Sequence, residues 1–385
     1  MEADPTLQRP PALRAARWAT RAQFAVLGGV TGAWGVHIPT AKAHYGLDAA
    51  ALSIALLAAA AGAVACLTQA GRVVARFGAR RVAQVAGVLV CAALALVVAS
   101  HSFALLLALM LVFGAASALF DVAINAEGSV LEGISGKKVM SGFHGMFSAG
   151  GMVGAGVGAL LIRAQVPASL QLVGAGLTLA TLAVVAGAFM LPVHPAAPEQ
   201  RAGYRLPQGA LAVFGLLGAV GLIAEGTMYD WSVLYLQSEV GAPPALAALG
   251  YASFSAAMAA TRFCGDWLRS RIAAPRLMAA SALLAAAAMA AVLLLRDPVA
   301  TLVGFALVGV GFANVVPILF MAATRVEGVA PATAIASVSS IGYLGFLFGP
   351  PLVGGITHAL SLSWGLCVVV AGALLLAWGA RRVPA

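Results

Sequence analysis

Two sets of six long apolar stretches fill this chain, and the residues that punctuate the first set return 195 positions later in the second. Gly46, Arg81, Gly114 and Gly154 correspond in this way to Gly241, Arg276, Gly309 and Gly349, and Gly71 falls within one step of Gly265. A helix needs about 20 predominantly apolar residues to cross the hydrocarbon of a bilayer. Stretches of that kind lie at 20–40, 50–70, 82–100, 103–126, 140–162, 169–191, 209–237, 246–264, 276–295, 299–323, 332–357 and 362–380. The expected fold is therefore all-α: a polytopic membrane protein of twelve transmembrane helices in two pseudo-symmetric six-helix bundles. The bundles are expected at 1–191 and 208–385, joined by a cytoplasmic linker at 192–207.

Only 9% of the residues are charged and 62% are hydrophobic, which makes the bilayer rather than water the solvent of the chain. The formal net charge of +9 would suggest a nucleic-acid partner in a soluble protein. Here its distribution argues otherwise. With the amino terminus inside, only Lys42, Arg163 and Arg296 fall on the outer side of the spans, and the other 19 of the 22 basic residues fall at or near the inner side. By the positive-inside rule both termini are expected in the cytoplasm, in a bacterial inner membrane, with no nucleic acid as partner. Cys66, Cys91, Cys264 and Cys367 lie in or beside spans without metal-ligand spacing, so they read as packing residues, with neither a disulfide framework nor a metal expected. The Ala41-Lys42-Ala43 pattern follows an apolar stretch too long for a signal-peptide core, so that helix is expected to be retained.

The segment from Pro192 to Pro207 is the only long polar interruption, and the remaining connections are short. Short connections make consecutive helices antiparallel neighbours and leave no room for a soluble catalytic domain. Glycines cluster in span 5 (Gly150, Gly151, Gly154, Gly156, Gly158) and in span 11 (Gly342, Gly345, Gly349, Gly354, Gly355), where small residues let helix backbones approach closely. Pro317, Pro350 and Pro351 are expected to break backbone hydrogen bonds where helices bend. A duplicated helical scaffold of this kind is the pattern of a secondary transporter with its site near the bilayer midplane.

After span 2 the sequence reads Gly71-Arg72-Val73-Val74-Ala75-Arg76-Phe77-Gly78-Ala79-Arg80-Arg81, and a degenerate copy after span 8 reads Gly265-Asp266-Trp267-Leu268-Arg269-Ser270-Arg271. This pattern resembles the loop between spans 2 and 3 of the major facilitator superfamily (MFS). The resemblance implies a gating role for Gly71, Arg72, Arg76 and Arg80, latching the cytoplasmic ends of two bundles through charge pairs and helix-end dipoles. Ala75 stands where that family usually has an acid, so the latch must borrow one. Asp266 is a candidate, four residues from Arg262 on one helix face, and Arg262 and Asp266 complete the expected gating set. The run from Gly345 to Gly355 is similar to the glycine-proline pattern of the family's exporters, although it lies in span 11. Phe143-His144-Gly145 and the glycines after it resemble the bacterial sugar-permease branch related to fucose permeases.

An ionisable side chain at membrane depth is costly and should face the bundle interior or a watery cavity. Asp121 and Asn125 share a face of span 4, and His144 opens the neighbouring span 5, so the three could form one polar cluster. Span 7 carries Glu225, Tyr229, Asp230 and Trp231. Glu225 lies about 24 Å along the helix from Gly209, and Asp230 and Trp231 approach the outer mouth. Trp34 and His37 of span 1 are expected toward the same mouth. Asn314 adds an uncharged polar group in span 10, while Gln69 and Arg262 sit near inner ends where snorkelling suffices. Asp121, Asn125, His144, Glu225, Tyr229, Asp230, Trp231, Trp34, His37 and Asn314 are thus the candidate substrate and proton residues.

No Gly-x-x-x-x-Gly-Lys-Ser/Thr phosphate loop occurs, so an ion gradient, with protons as the ion, is the expected driving force, and no cofactor is expected. The expected partners are a small-molecule substrate, protons and the lipid bilayer, with the chain a monomer. Proton symport of a sugar, nucleoside, vitamin or similar solute leads. Proton-coupled export and a transporter-like sensor without flux remain open, and an enzyme ranks last because no catalytic constellation appears.

Overall fold

The computed structural model describes residues 10–136, 139–192, 208–329 and 331–384. Lys137, Lys138 and nearly all of the expected linker lie outside the described residues. The helices are α1 (Pro10–His44), α2 (Ala49–Phe77), α3 (Ala79–Leu96), α4 (Phe103–Ser135), α5 (Met140–Arg163), α6 (Ala168–Gly187), α7 (Ala210–Ser238), α8 (Pro244–Phe263), α9 (Gly265–Arg271), α10 (Ala274–Leu295), α11 (Pro298–Phe312), α12 (Val315–Ala323), α13 (Pro331–Gly342), α14 (Leu344–Ala359) and α15 (Leu362–Gly379). No strand occurs among the described residues.

Ten helical segments are long and apolar enough to cross a membrane, counting α11 with α12 and α13 with α14 as one each. The helices α1 and α8 complete twelve. The first carries Gln23, Thr31 and His37, and the second combines many alanines with Tyr251, Ser253, Ser255, Thr261 and Arg262, which explains their weaker hydropathy. Pro317 accounts for the interruption between α11 and α12, because it lacks the N–H that would bond the Ala313 carbonyl one turn earlier. Pro350 and Pro351, in contrast, lie inside α14 without ending it, and the interruption of span 11 falls at Tyr343.

The chain forms two compact units, Met1–Tyr45 with Ala58–Gln200, and Gly46–Leu57 with Arg201–Ala385. Inside the first, α1 packs on α5 and α6, and α3 packs on α4 and α6. Inside the second, α7 packs on α13, α14 and α15, and α10 packs on α11 and α15. These are the same neighbour relations in spans 1, 3, 4, 5 and 6 and in spans 7, 9, 10, 11 and 12. The repeat extends to individual backbone contacts. A Cβ on Gly114 would strike the Ala59 carbonyl, and one on Gly309 would strike the carbonyl of Phe254, the residue 195 positions after Ala59. A Cβ on Gly150 would strike the Ala25 carbonyl, and one on its counterpart Gly345 the Ala219 carbonyl. At both copies the glycine lies where two helix backbones touch, an approach that a Cβ would prevent.

The segment expected as a loop after span 2 is helical. Gly71, Arg72 and Arg76 lie on the last two turns of α2, and the reversal is confined to Gly78, with φ 81 and ψ 144. Arginine and alanine are good helix formers, so α2 continues until a residue able to adopt that backbone appears.

Candidate functional site

The sharpest polar arrangement among the described residues lies in the second unit, between α7 and α8. Glu225 sits near the middle of α7 and is buried. Its Oε1 accepts a hydrogen bond from Arg262 Nη2 of α8 at 3.1 Å and one from Tyr229 Oη, one turn along α7, at 3.3 Å. The arginine and glutamate side chains are 12% and 9% exposed, so this is a buried ion pair. The Tyr229 hydroxyl also lies 3.5 Å from Met258 Sδ, and its ring packs against Tyr251 and edge-on against Phe254, with centroids at 5.1 and 5.2 Å.

Helix geometry explains the convergence. Tyr251, Phe254, Met258 and Arg262 recur at spacings of three and four and form one stripe of α8. The short connection at 239–243 folds that stripe back toward Glu225 and Tyr229 of α7. The expectation that Arg262 snorkels to the inner end is therefore corrected: its guanidinium turns to Glu225, because an unpaired carboxylate inside an apolar unit costs more than the side-chain ordering the pair requires. The expected helix face shared by Arg262 and Asp266 is also interrupted, since α8 ends at Phe263 and Asp266 belongs to α9. The Asp266 side chain lies outside the described residues.

Beside this centre the candidates occupy several separate places. Asp230 lines a cavity of about 20 Å³, room for one water, with Thr227, Phe346, Gly349 and Pro350. Trp231 is fully buried, in the core of its unit rather than at a mouth. The Asn314 Oδ1 accepts from Arg269 Nη1 of α9 at 2.8 Å, which ties the short helix to the interruption in span 10. In the first unit, Asn125 Nδ2 donates to Asp121 Oδ1 at 2.9 Å. His144, the third member of that expected cluster, has its ring edge-on to Phe24 of α1 at 5.2 Å. Trp34 is buried against Phe113, and His37 is buried with Nδ1 2.8 Å from the Ala33 carbonyl. Of the latch residues, exposed Arg72 donates to Gln69 Oε1 at 2.8 Å and Arg76 lies over the Phe77 ring, while Gly71 and Arg80 flank them in sequence. Gln69 is exposed, two turns before the end of α2.

Sequence reasoning missed two groups. The α8 stripe was legible in its spacing but reads equally well as ordinary core packing. Glu127 of α4 is fully buried, with Oε1 accepting from the Leu191 backbone N–H at 2.8 Å, and no sequence pattern marks it.

A family model described as Major Facilitator Superfamily matches residues 22–328. The chain is 37% identical over 366 residues to an uncharacterized MFS-type transporter of Yersinia pestis, covering 94% of each protein. It is 32% identical over 360 residues to the membrane protein MosC of Rhizobium meliloti, covering 92% of this chain and 87% of that one. Among solved structures, a D-xylose-proton symporter superposes with a TM-score of 0.76 at 15% identity, over 96% of this chain and 98% of that chain. The nucleoside transporter NupG superposes with a TM-score of 0.70 at 14% identity, over 97% and 98%. The structural likenesses fix the fold, and the sequence matches go further. This multi-pass membrane protein is a transporter of small molecules rather than an enzyme, and it belongs to the Major Facilitator Superfamily.

Proposed function

We propose that the chain moves a small organic solute across the bacterial inner membrane by proton symport and alternating access, with both termini in the cytoplasm. The observation that carries this reading is the Glu225–Arg262 pair with Tyr229 on the same carboxylate oxygen. Two charges kept inside an apolar unit are costly, and membrane proteins retain such groups chiefly where ions or substrates pass. The pair is also a switch by its chemistry. A proton on Glu225 removes the negative charge that holds the guanidinium, and Arg262 can then donate to hydroxyl or carbonyl oxygens of a solute. Tyr229 and Tyr251 offer ring faces and hydroxyls beside it, which suits a sugar or nucleoside. The named cargo of the two structural neighbours agrees with that class. Asp121 with Asn125 is the second proposed proton site, and the arginines around Gly71 and Gly78 the proposed cytoplasmic latch.

The test uses purified protein in proteoliposomes, with radiolabelled D-xylose, nucleosides and a wider metabolite panel as probes under an inward proton gradient. Uphill uptake of one class is expected from the wild type. The Glu225→Gln variant is expected to lose uphill uptake and retain solute exchange. Uphill uptake by that variant at the wild-type level would remove Glu225 from coupling.

A further inference from the structure

A second site lies in the same unit, away from the Glu225 pair. A cavity of about 240 Å³ is lined by Arg269 and Arg271 of α9, Arg325 after α12, Ile272, Met321 and Val383. Three arginines thus line one hollow, and no carboxylate is among its described lining residues. Ala273 and Ala274 bring the first turn of α10 to the same wall, a turn whose cap offers no side-chain acceptor to its N–H groups. Each of these features favours an anion with several acceptor oxygens.

The rest of the lining says what carries that anion. Ile272 and Met321 are apolar and 39% and 43% exposed, so one side of the cavity opens onto surface that water does not favour. Trp267, one turn before Arg271, is 58% exposed and lies 5.0 Å beneath its guanidinium. The same exposed Trp–Arg pairing recurs at Trp18 with Arg21 and at Trp378 with Arg381. Exposed tryptophans beside cations mark the level of lipid headgroups, where an amphipathic ring sits half in hydrocarbon. A hollow with cations on one wall and exposed apolar side chains on another, placed at that level, matches a phosphate ester bearing acyl chains better than a soluble anion. Basic pockets between helices on the cytoplasmic side take anionic headgroups by this chemistry.

We propose that this cavity is a binding site for the phosphate of an anionic phospholipid, which the arginines at positions 269, 271 and 325 hold while the acyl chains lie along Ile272 and Met321. The Asn314 bond to Arg269 gives the site a built-in position, since it fixes one of the three guanidinium groups against span 10.

The experiment titrates delipidated, detergent-solubilised full-length protein with dioleoylphosphatidylglycerol, dioleoylphosphatidylcholine or sodium phosphate, reading bound lipid by native mass spectrometry and the thermal midpoint alongside. Phosphatidylglycerol should bind at least ten-fold more tightly than phosphatidylcholine. The R271Q/R325Q variant should weaken phosphatidylglycerol at least ten-fold. Arg21→Gln, at a Trp–Arg pair outside this cavity, should change it less than two-fold. Should the double variant not purify folded, Arg325→Gln alone, at an exposed position, carries the test with a loss of at least three-fold. Displacement of phosphatidylglycerol by millimolar phosphate, with the same variant sensitivity, would uphold the phosphate site and make free phosphate its source. Unchanged phosphatidylglycerol binding in the arginine variants, or an equal loss in Arg21→Gln, would overturn the proposal.

Discussion

Glu225→Ala tests the ion pair at the heart of the proposed site. In the wild type the Arg262 side chain, 12% exposed, faces the Glu225 side chain, 9% exposed, at 3.1 Å. Removing the carboxylate takes from Arg262 its charge partner on α7, and breaking a buried pair in this way costs about 3–5 kcal/mol. The contact is longer than the 2.7–2.9 Å of the strongest charged hydrogen bonds, so the lower end, ~3 kcal/mol, is expected. At roughly 2–4 °C per kcal/mol for a unit of 150–250 residues, the thermal midpoint should fall by about 6–12 °C. Arg262→Met should cost a comparable amount for the mirror-image reason. The double variant Glu225→Ala with Arg262→Met removes both charges and should cost about 1 kcal/mol rather than the ~6 kcal/mol of two independent losses, a coupling of about 5 kcal/mol. Intrinsic tryptophan fluorescence in detergent is the appropriate readout, because Cys264, two residues from Arg262, is exposed and would react early with a thiol dye. Single variants that each cost less than about 1 kcal/mol and add without coupling would refute the reasoning, since that is the behaviour of a solvated surface pair.

Other consequences can be measured on the same protein. Gly150→Leu and Gly345→Leu drive side chains into the Ala25 and Ala219 carbonyls, so folded yield should collapse, whereas Gly156→Ala, which meets nothing within 4 Å, should leave yield and thermal midpoint unchanged. Gly78→Ala forces a Cβ into a backbone region that belongs almost wholly to glycine, at a cost of about 1–3 kcal/mol visible as a lower thermal midpoint. Asn314→Ala removes the acceptor of Arg269 and should destabilise by about 1.5–3 kcal/mol; an unchanged midpoint would show that the tether carries no stability. Asp121→Asn is expected to abolish uphill uptake in proteoliposomes while leaving solute exchange, and retention of both would remove Asp121 from coupling.

The scaffold was legible because its signals are periodic and repeated. Twelve apolar stretches announce the helices, and glycines 195 residues apart announce the duplication, down to the paired backbone approaches of Gly114 and Gly309. What sequence reading resolved poorly was local. The arginines around Gly71 read as a loop because charge follows an apolar span, yet charge outside hydrocarbon does not end a helix, and only Gly78 does. Proline marked a true interruption at Pro317 but not at Pro350 and Pro351, because helix packing can hold a proline-containing segment together. The contacts between neighbours on one helix, Asp121 with Asn125 and Glu225 with Tyr229, followed from spacing alone. Arg262 was misplaced because its partner lies 37 residues away on another helix, and a guanidinium at a span end can turn either to headgroups or inward. The pairing depends on tertiary contact that no local pattern encodes.

The measurement that bears most directly on the proposed mechanism is solute-driven proton movement in proteoliposomes loaded with a pH-sensitive dye. A solute from the uptake panel, applied as an inward gradient without an imposed proton gradient, should acidify the lumen with wild-type protein. With Glu225→Gln the same solute should equilibrate while the lumenal pH stays constant. Acidification by Glu225→Gln at the wild-type ratio of protons to solute would contradict the account.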